Sequence, residues 1–166
     1  MISSPSHFWS MDESLAQYKG NHVRRVCIKY KPNPYGFRVF VLNTRLGFAA
    51  HKILDFGLEQ IQNQIGMSHD PNTNLTTSVC LGMSKYLRET WPNNSFTMIT
   101  DRFYTSAAIA STCQAQYNVY CLGTIQLNRC PYDIRPYLAF CKRYTCNAKR
   151  PIFIKYNVFN PQNMIL

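Results

Sequence analysis

The segment Ser95-Phe96-Thr97-Met98-Ile99-Thr100-Asp101 is a short apolar run that ends on a carboxylate, and it lies between two stretches of helical character. Before it, Val79, Met83, Tyr86 and Leu87 recur near a 3.6-residue period, which predicts a helix over residues 76–89. Trp91-Pro92-Asn93-Asn94 stops that helix, because proline cannot continue it and the two asparagines favour a turn. After it, Thr105-Ser106 supplies a hydroxyl cap for a second helix running to about Tyr117. Residues 118–124 then return as a strand ending in Gly123-Thr124. Helix, strand, helix and strand in succession are the pattern of parallel strands covered by helices.

Upstream the pattern changes from alternation of elements to pairing of strands. Tyr35-Gly36-Phe37-Arg38-Val39-Phe40-Val41-Leu42-Asn43 is rich in aromatic and β-branched residues and reads as a strand. Thr44-Arg45 is expected to turn the chain, with residues 46–54 returning as the hairpin partner. Residues 8–16 read as an earlier strand interrupted by acids, and residues 17–34 as a basic segment. Its end, Lys31-Pro32-Asn33-Pro34, favours extended loop over helix. Residues 55–74, polar and punctuated by Gly57, Gly66 and Pro71, read as a long connection. The expected order is β, β, β, α, β, α, β: an α/β fold with a mixed sheet flanked by helices. Prolines 131, 136, 151 and 161 divide a basic, aromatic tail with a strand-like Ile152–Tyr156.

Composition narrows the function. Of 166 residues, 46% are apolar, too many for a disordered basic tail. No run reaches the ~18 apolar residues of a membrane span, so a soluble globular chain with no membrane role is expected. Met1 is followed by neither a basic nor an apolar leader segment. Eighteen Lys and Arg against eight Asp and Glu leave a net charge of +10, attractive to phosphates, acidic proteins or anionic surfaces. Tyr30, Tyr35, Tyr144 and Tyr156 interleave with the basic pairs, an arrangement that suits either stacking beside phosphate contacts or half-buried rings under a solvated basic face. Seven cysteines, an odd number, read as mostly free thiols packed as small hydrophobes. Cys141 and Cys146 have ligand-like spacing without a second close pair, so zinc is not expected.

With carboxylates so scarce, two stand out by position. Asp12 lies on the first strand and Asp101 at the carboxyl end of the strand 96–100. In open α/β sheets that end is where ligands bind. Two strand-end carboxylates side by side could hold Mg²⁺ for phosphoryl transfer, or each could cap a turn or pair with a base such as Arg102 or Lys19.

Three segments carry a resemblance. Residues 11–20, Met-Asp-Glu-Ser-Leu-Ala-Gln-Tyr-Lys-Gly, followed by residues 30–42, Tyr-Lys-Pro-Asn-Pro-Tyr-Gly-Phe-Arg-Val-Phe-Val-Leu, resemble the first catalytic segment of piggyBac-type transposases. Ile99-Thr100-Asp101-Arg102-Phe103-Tyr104-Thr105-Ser106 resembles the second, and residues 122–131 the Gly-Thr strand that follows it. The matches keep the family's order and cover about residues 8–135, leaving 136–166 as a tail at the start of a family insertion region.

The resemblance implies an RNase H-like catalytic domain of a cut-and-paste DNA transposase. Asp12 and Asp101 would be the catalytic carboxylates and the ligands for Mg²⁺ or Mn²⁺. DNA would be the partner through its backbone, with Lys19, Arg24, Arg25, Lys29, Lys31 and Arg38 as phosphate contacts. A homodimer and a nuclear location are implied likewise.

The departures set further expectations. The family places a third aspartate well downstream, whereas Asp133 is the only acid after Asp101 here and sits at the exit of the Gly-Thr strand. It is not assigned as a ligand. Nor do Cys141 and Cys146 replace the family's Cys-rich zinc-binding end. The resemblance therefore covers the front part of the catalytic domain, expected to be inactive. Arg102 stands where the family has asparagine and could pair with Asp101. The alternatives are a domesticated DNA-binding module, or a nuclease of the same fold completed by Asp133 or Glu13.

Overall fold

A computed structural model describes residues 6–29, 32–126 and 129. Six strands and three helices follow in the order β1 (Phe8–Gln17), β2 (Val26–Cys27), β3 (Tyr35–Thr44), β4 (Ala49–Leu54), α1 (Leu58–Gln64), α2 (Leu75–Thr90), β5 (Phe96–Thr100), α3 (Ala107–Tyr117) and β6 (Val119–Gly123). One mixed sheet runs β2-β3-β1-β5-β6, with β4 paired to β3. β1 is antiparallel to β3 and parallel to β5, and β5 is parallel to β6. The α/β fold with a helix-flanked mixed sheet is the one expected.

Strand alternation sorts the residues onto two faces. Trp9, Met11, Phe40, Leu42, Ile53, Phe96, Met98 and Val119 are buried in one core with Ile61 of α1, Val79, Met83 and Leu87 of α2, and Ile109 and Cys113 of α3. The opposite face carries the intervening residues, and Phe8, Lys52, Ile99, Tyr120 and Leu122 are exposed on it. Among the described residues the helices therefore cover one face of the sheet.

Local chemistry accounts for the boundaries. Asn74 caps α2 by accepting the Thr77 N–H at 2.8 Å, and Ser106 caps α3 by accepting the Ile109 N–H at 3.2 Å. Trp91 ends α2 and packs against Trp9 and Phe96 with ring centroids 5.4 and 6.0 Å away. Gly82 sits where α2 meets the end of α1, and a Cβ there would lie 2.5 Å from Ile65 Cγ2.

Two short elements depart from the expected order. α1 replaces part of the expected long connection: its seven residues carry only Leu58 and Ile61 as apolar anchors, yet Ile61 is fully buried and Gly57 and Gly66 bracket it. β2 is two residues paired to the start of β3, too short to leave a period. The hairpin turn also falls later than Thr44-Arg45, with Gly47 at φ 83° and the Thr44 N–H donating to Phe48 O. The boundary at 135/136, the strand-like Ile152–Tyr156 and Cys130, Cys141 and Cys146 lie outside the described residues.

Candidate active site and nucleic-acid interface

The sheet brings Asp12 and Asp101 to neighbouring positions. Ser10 on β1 is level with Ile99 on β5 in a parallel register, and two further residues along each chain reach Asp12 and Asp101. The ladder ends at Ser10–Ile99 and β5 at Thr100, so Asp101 lies just past the end of β5, beside the stretch of β1 that carries Asp12. Both residues are exposed, in phase with exposed Ser10 and Ile99 on the face the helices leave open. Asp101 begins the turn into α3: its Oδ1 accepts the Phe103 N–H at 2.8 Å, and its carbonyl accepts the N–H groups of Tyr104 and Thr105. Asp12 Oδ1 accepts the Glu13 N–H at 2.7 Å. Neither acid is neutralised by the bases considered above, since among the described residues the ion pairs are Arg38–Asp55 and Lys85–Glu89.

Glu13, one residue on, points the other way. Its Oε2 accepts a 3.0 Å hydrogen bond from the hydroxyl of Tyr104, which is 1% exposed. Burial pushes the Tyr104 phenol well above its ordinary range, and the negative Glu13 beside it adds to the shift. A protonated hydroxyl donating to a carboxylate is the stable state there.

The row through Asp12 continues across the sheet. Asp12 is level with Val41 on β3, and Val41 with Lys52 on β4. These residues, with Glu13, Ser14, Asn43 and Ala49, line a shallow trough of about 360 Å³. Lys52 is exposed and forms no ion pair among the described residues. Sequence reading missed it, because its place relative to Asp12 is a matter of register.

The basic residues separate by environment. Lys19, Arg24 and Lys29 are exposed on the segment that follows β1, beyond Gln17, whereas Asp101 follows β5 beside the middle of β1. Arg25 belongs to the same segment but is held by the carbonyls of Lys19 and Gly20, with its guanidinium 4.9 Å from the Tyr35 ring centre. Arg38 lies elsewhere. Its Nη2 is 2.6 Å and its Nε 2.7 Å from Asp55 Oδ2, so both donors serve an internal carboxylate. Lys31 and Asp133 lie outside the described residues. Arg129, another residue that sequence reading passed over, donates to Phe103 O and places its guanidinium 5.7 Å from that ring, beside the Asp101 turn.

Two carboxylates on one exposed face are hard oxygen donors of the kind Mg²⁺ and Mn²⁺ take. Among the described residues no group of three or more His, Cys, Asp or Glu side chains converges. Cys80 and Cys113 are buried free thiols, as expected of small hydrophobes, and Cys27 is exposed. No helix among the described residues is long and apolar enough to cross a membrane.

The family model described as Transposase IS4 matches residues 2–158. The chain belongs to the IS4-type transposase family. Among solved structures, a piggyBac transposase synaptic complex with hairpin DNA superposes on this IS4-type chain with a TM-score of 0.63 and 18% sequence identity. The match covers 93% of this chain and 29% of that one, so this transposase-family chain spans less than a third of its structural relative. The shared fold is RNase H-like. No curated protein sequence matches the chain.

Proposed function

We propose that this IS4-family chain is a piggyBac-type, transposase-derived DNA-binding domain, with Asp12 and Asp101 as two ligands of a Mg²⁺ or Mn²⁺ site. The observation that supports the reading is the parallel β1–β5 register, whose last pair, Ser10–Ile99, lies two residues before each acid. A divalent ion bound there would polarise a phosphodiester as a Lewis acid. The chain's own contribution is to hold the two carboxylates on adjacent strands and present cations to the backbone. Lys19, Arg24, Arg25 and Lys29 line the segment at the carboxyl end of β1, and Lys52 faces the trough beside Asp12. With Asp12 and Asp101 alone, these 166 residues hold such ions weakly and bind DNA without cleaving it. The nuclear location and the pairing of two copies implied by the resemblance belong to the same proposal.

The test joins two measurements on the 166-residue chain. DNA affinity titrated against salt should fall steeply, and Lys19→Gln should flatten the slope by about 1, one counterion's worth. A nicking assay with Mn²⁺ should show no Asp12-dependent cleavage. Affinity indifferent to salt would refute the phosphate contacts. Cleavage abolished by Asp12→Asn would refute the inactivity while keeping the site.

A further inference from the structure

The two aspartates come from segments far apart in the chain, so something must hold them in fixed relation. The β1–β5 ladder runs from Phe8–Thr97 to Ser10–Ile99, and β5 ends at Thr100, so Asp101 already belongs to a turn. Inside that turn the bonds are local: Phe103 N–H to Asp101 Oδ1, and Tyr104 and Thr105 N–H and the Thr105 hydroxyl to Asp101 O. They shape the turn without tying it to β1. Among the described residues, Tyr104 makes that tie. Tyr104 is buried, meets Phe40 edge-on with ring centroids 6.1 Å apart, and donates its hydroxyl to Glu13 across 91 residues. Glu13 is the residue next to Asp12, and the strand pleat turns it toward the core side while Asp12 faces out.

The geometry points to Tyr104 and Glu13 as positioning residues: their hydrogen bond clamps the Asp101 turn onto β1 and sets the separation of the two proposed metal-binding carboxylates. This inference rests on the reading of Asp12 and Asp101 given above. It also assigns Glu13 a place. Its carboxylate anchors the site from behind and does not complete it as a ligand. Partners behind metal ligands commonly matter 10- to 100-fold in affinity, because a loose ligand must be ordered on binding.

The experiment is Mn²⁺ binding to the intact chain, followed by the loss of the free-ion electron paramagnetic signal at a temperature well below melting. Tyr104→Phe keeps the ring packing and removes the hydroxyl, and it should weaken Mn²⁺ binding about 10-fold. Glu13→Leu should do the same, whereas Glu13→Gln keeps an acceptor and should bind nearly as the unmodified chain does. A purely structural role would lower the melting temperature of Tyr104→Phe and Glu13→Leu without this pattern of loss and rescue. Asp12→Asn and Asp101→Asn separate the two levels of the argument. If they abolish binding while Tyr104→Phe and Glu13→Leu leave it unchanged, the clamp is refuted and the metal pair stands. If they bind Mn²⁺ like the unmodified chain, the metal pair falls and the clamp's role with it.

Discussion

Replacing Arg38 with methionine separates two roles for one residue. Methionine keeps an apolar stem over Phe40, where the guanidinium carbon lies 5.5 Å from the ring centre, and removes the charge. What is lost is the 2.6 Å and 2.7 Å pair of contacts to Asp55 Oδ2. The side chains are 30% and 10% exposed, so the pair lies between two regimes. Fully exposed pairs contribute about 0–1 kcal/mol, and removing one partner of a buried pair costs about 3–5 kcal/mol. An intermediate cost of about 2 kcal/mol is expected, since Asp55 keeps only the Gly57 N–H at 3.3 Å as a side-chain donor. For a chain of this size that corresponds to a melting temperature lower by about 4–8 °C. A double-mutant cycle with Asp55→Asn, followed by thermal melting, should return a coupling energy of the same sign and about half that size or more. DNA affinity and its salt slope should stay unchanged, because the guanidinium is occupied. An unchanged melting temperature with a salt slope reduced by about 1 would refute the assignment and return Arg38 to the phosphate contacts.

Three further outcomes follow from the packing. Gly82→Ala places a Cβ 2.5 Å from Ile65 Cγ2 at the α1–α2 contact and should destabilise by about 1–3 kcal/mol in denaturant titration, despite alanine's better helix propensity. Gln62 is fully buried; its amide donates to Asp70 O at 3.0 Å and its carbonyl accepts the Asp70 N–H at 3.0 Å. Gln62→Leu should cost about 1–3 kcal/mol and speed amide hydrogen exchange at Asp70. His51 stacks on Tyr86 with ring centroids 4.2 Å apart, and burial lowers its pKa below 6.5. The folded state therefore favours the neutral ring: this contribution is complete above pH 6.5 and is lost as pH falls through that value toward the folded pKa. His51→Gln should give a shallower decline of melting temperature across that window, and an unchanged profile would remove His51 as the cause.

Long, strongly patterned elements were legible. The spacing over residues 76–89, the hydroxyl cap at Ser106 and the apolar run before Asp101 become α2, α3 and β5 almost to the residue. α1 was hidden because a seven-residue helix with one buried apolar side and polar flanks shows less than two full periods. Its placement depends on Ile61 joining the core and on Gln62 reaching Asp70, contacts that lie outside the helix itself. Arg38 looked like any other strand cation, because its partner Asp55 lies 17 positions away and becomes adjacent only through the hairpin. Lys52 carried no signal for the same reason.

The amino-acid sequence by itself determined most of the elements and their order, the excess of positive charge and the place of Asp101 just after a strand, whereas Asp12 lies in the middle of β1 and not at its end. Those properties are local: they depend on side-chain size, backbone preference and period, and each is complete within about ten residues. The tertiary structure decided which groups meet. The parallel β1–β5 register runs to Ser10–Ile99, two residues before Asp12 and Asp101, the Glu13 carboxylate meets the Tyr104 hydroxyl, and the β3–β4 hairpin occupies Arg38 with Asp55. Register is set by burial of one whole face of the sheet at once, and no single segment contains that information.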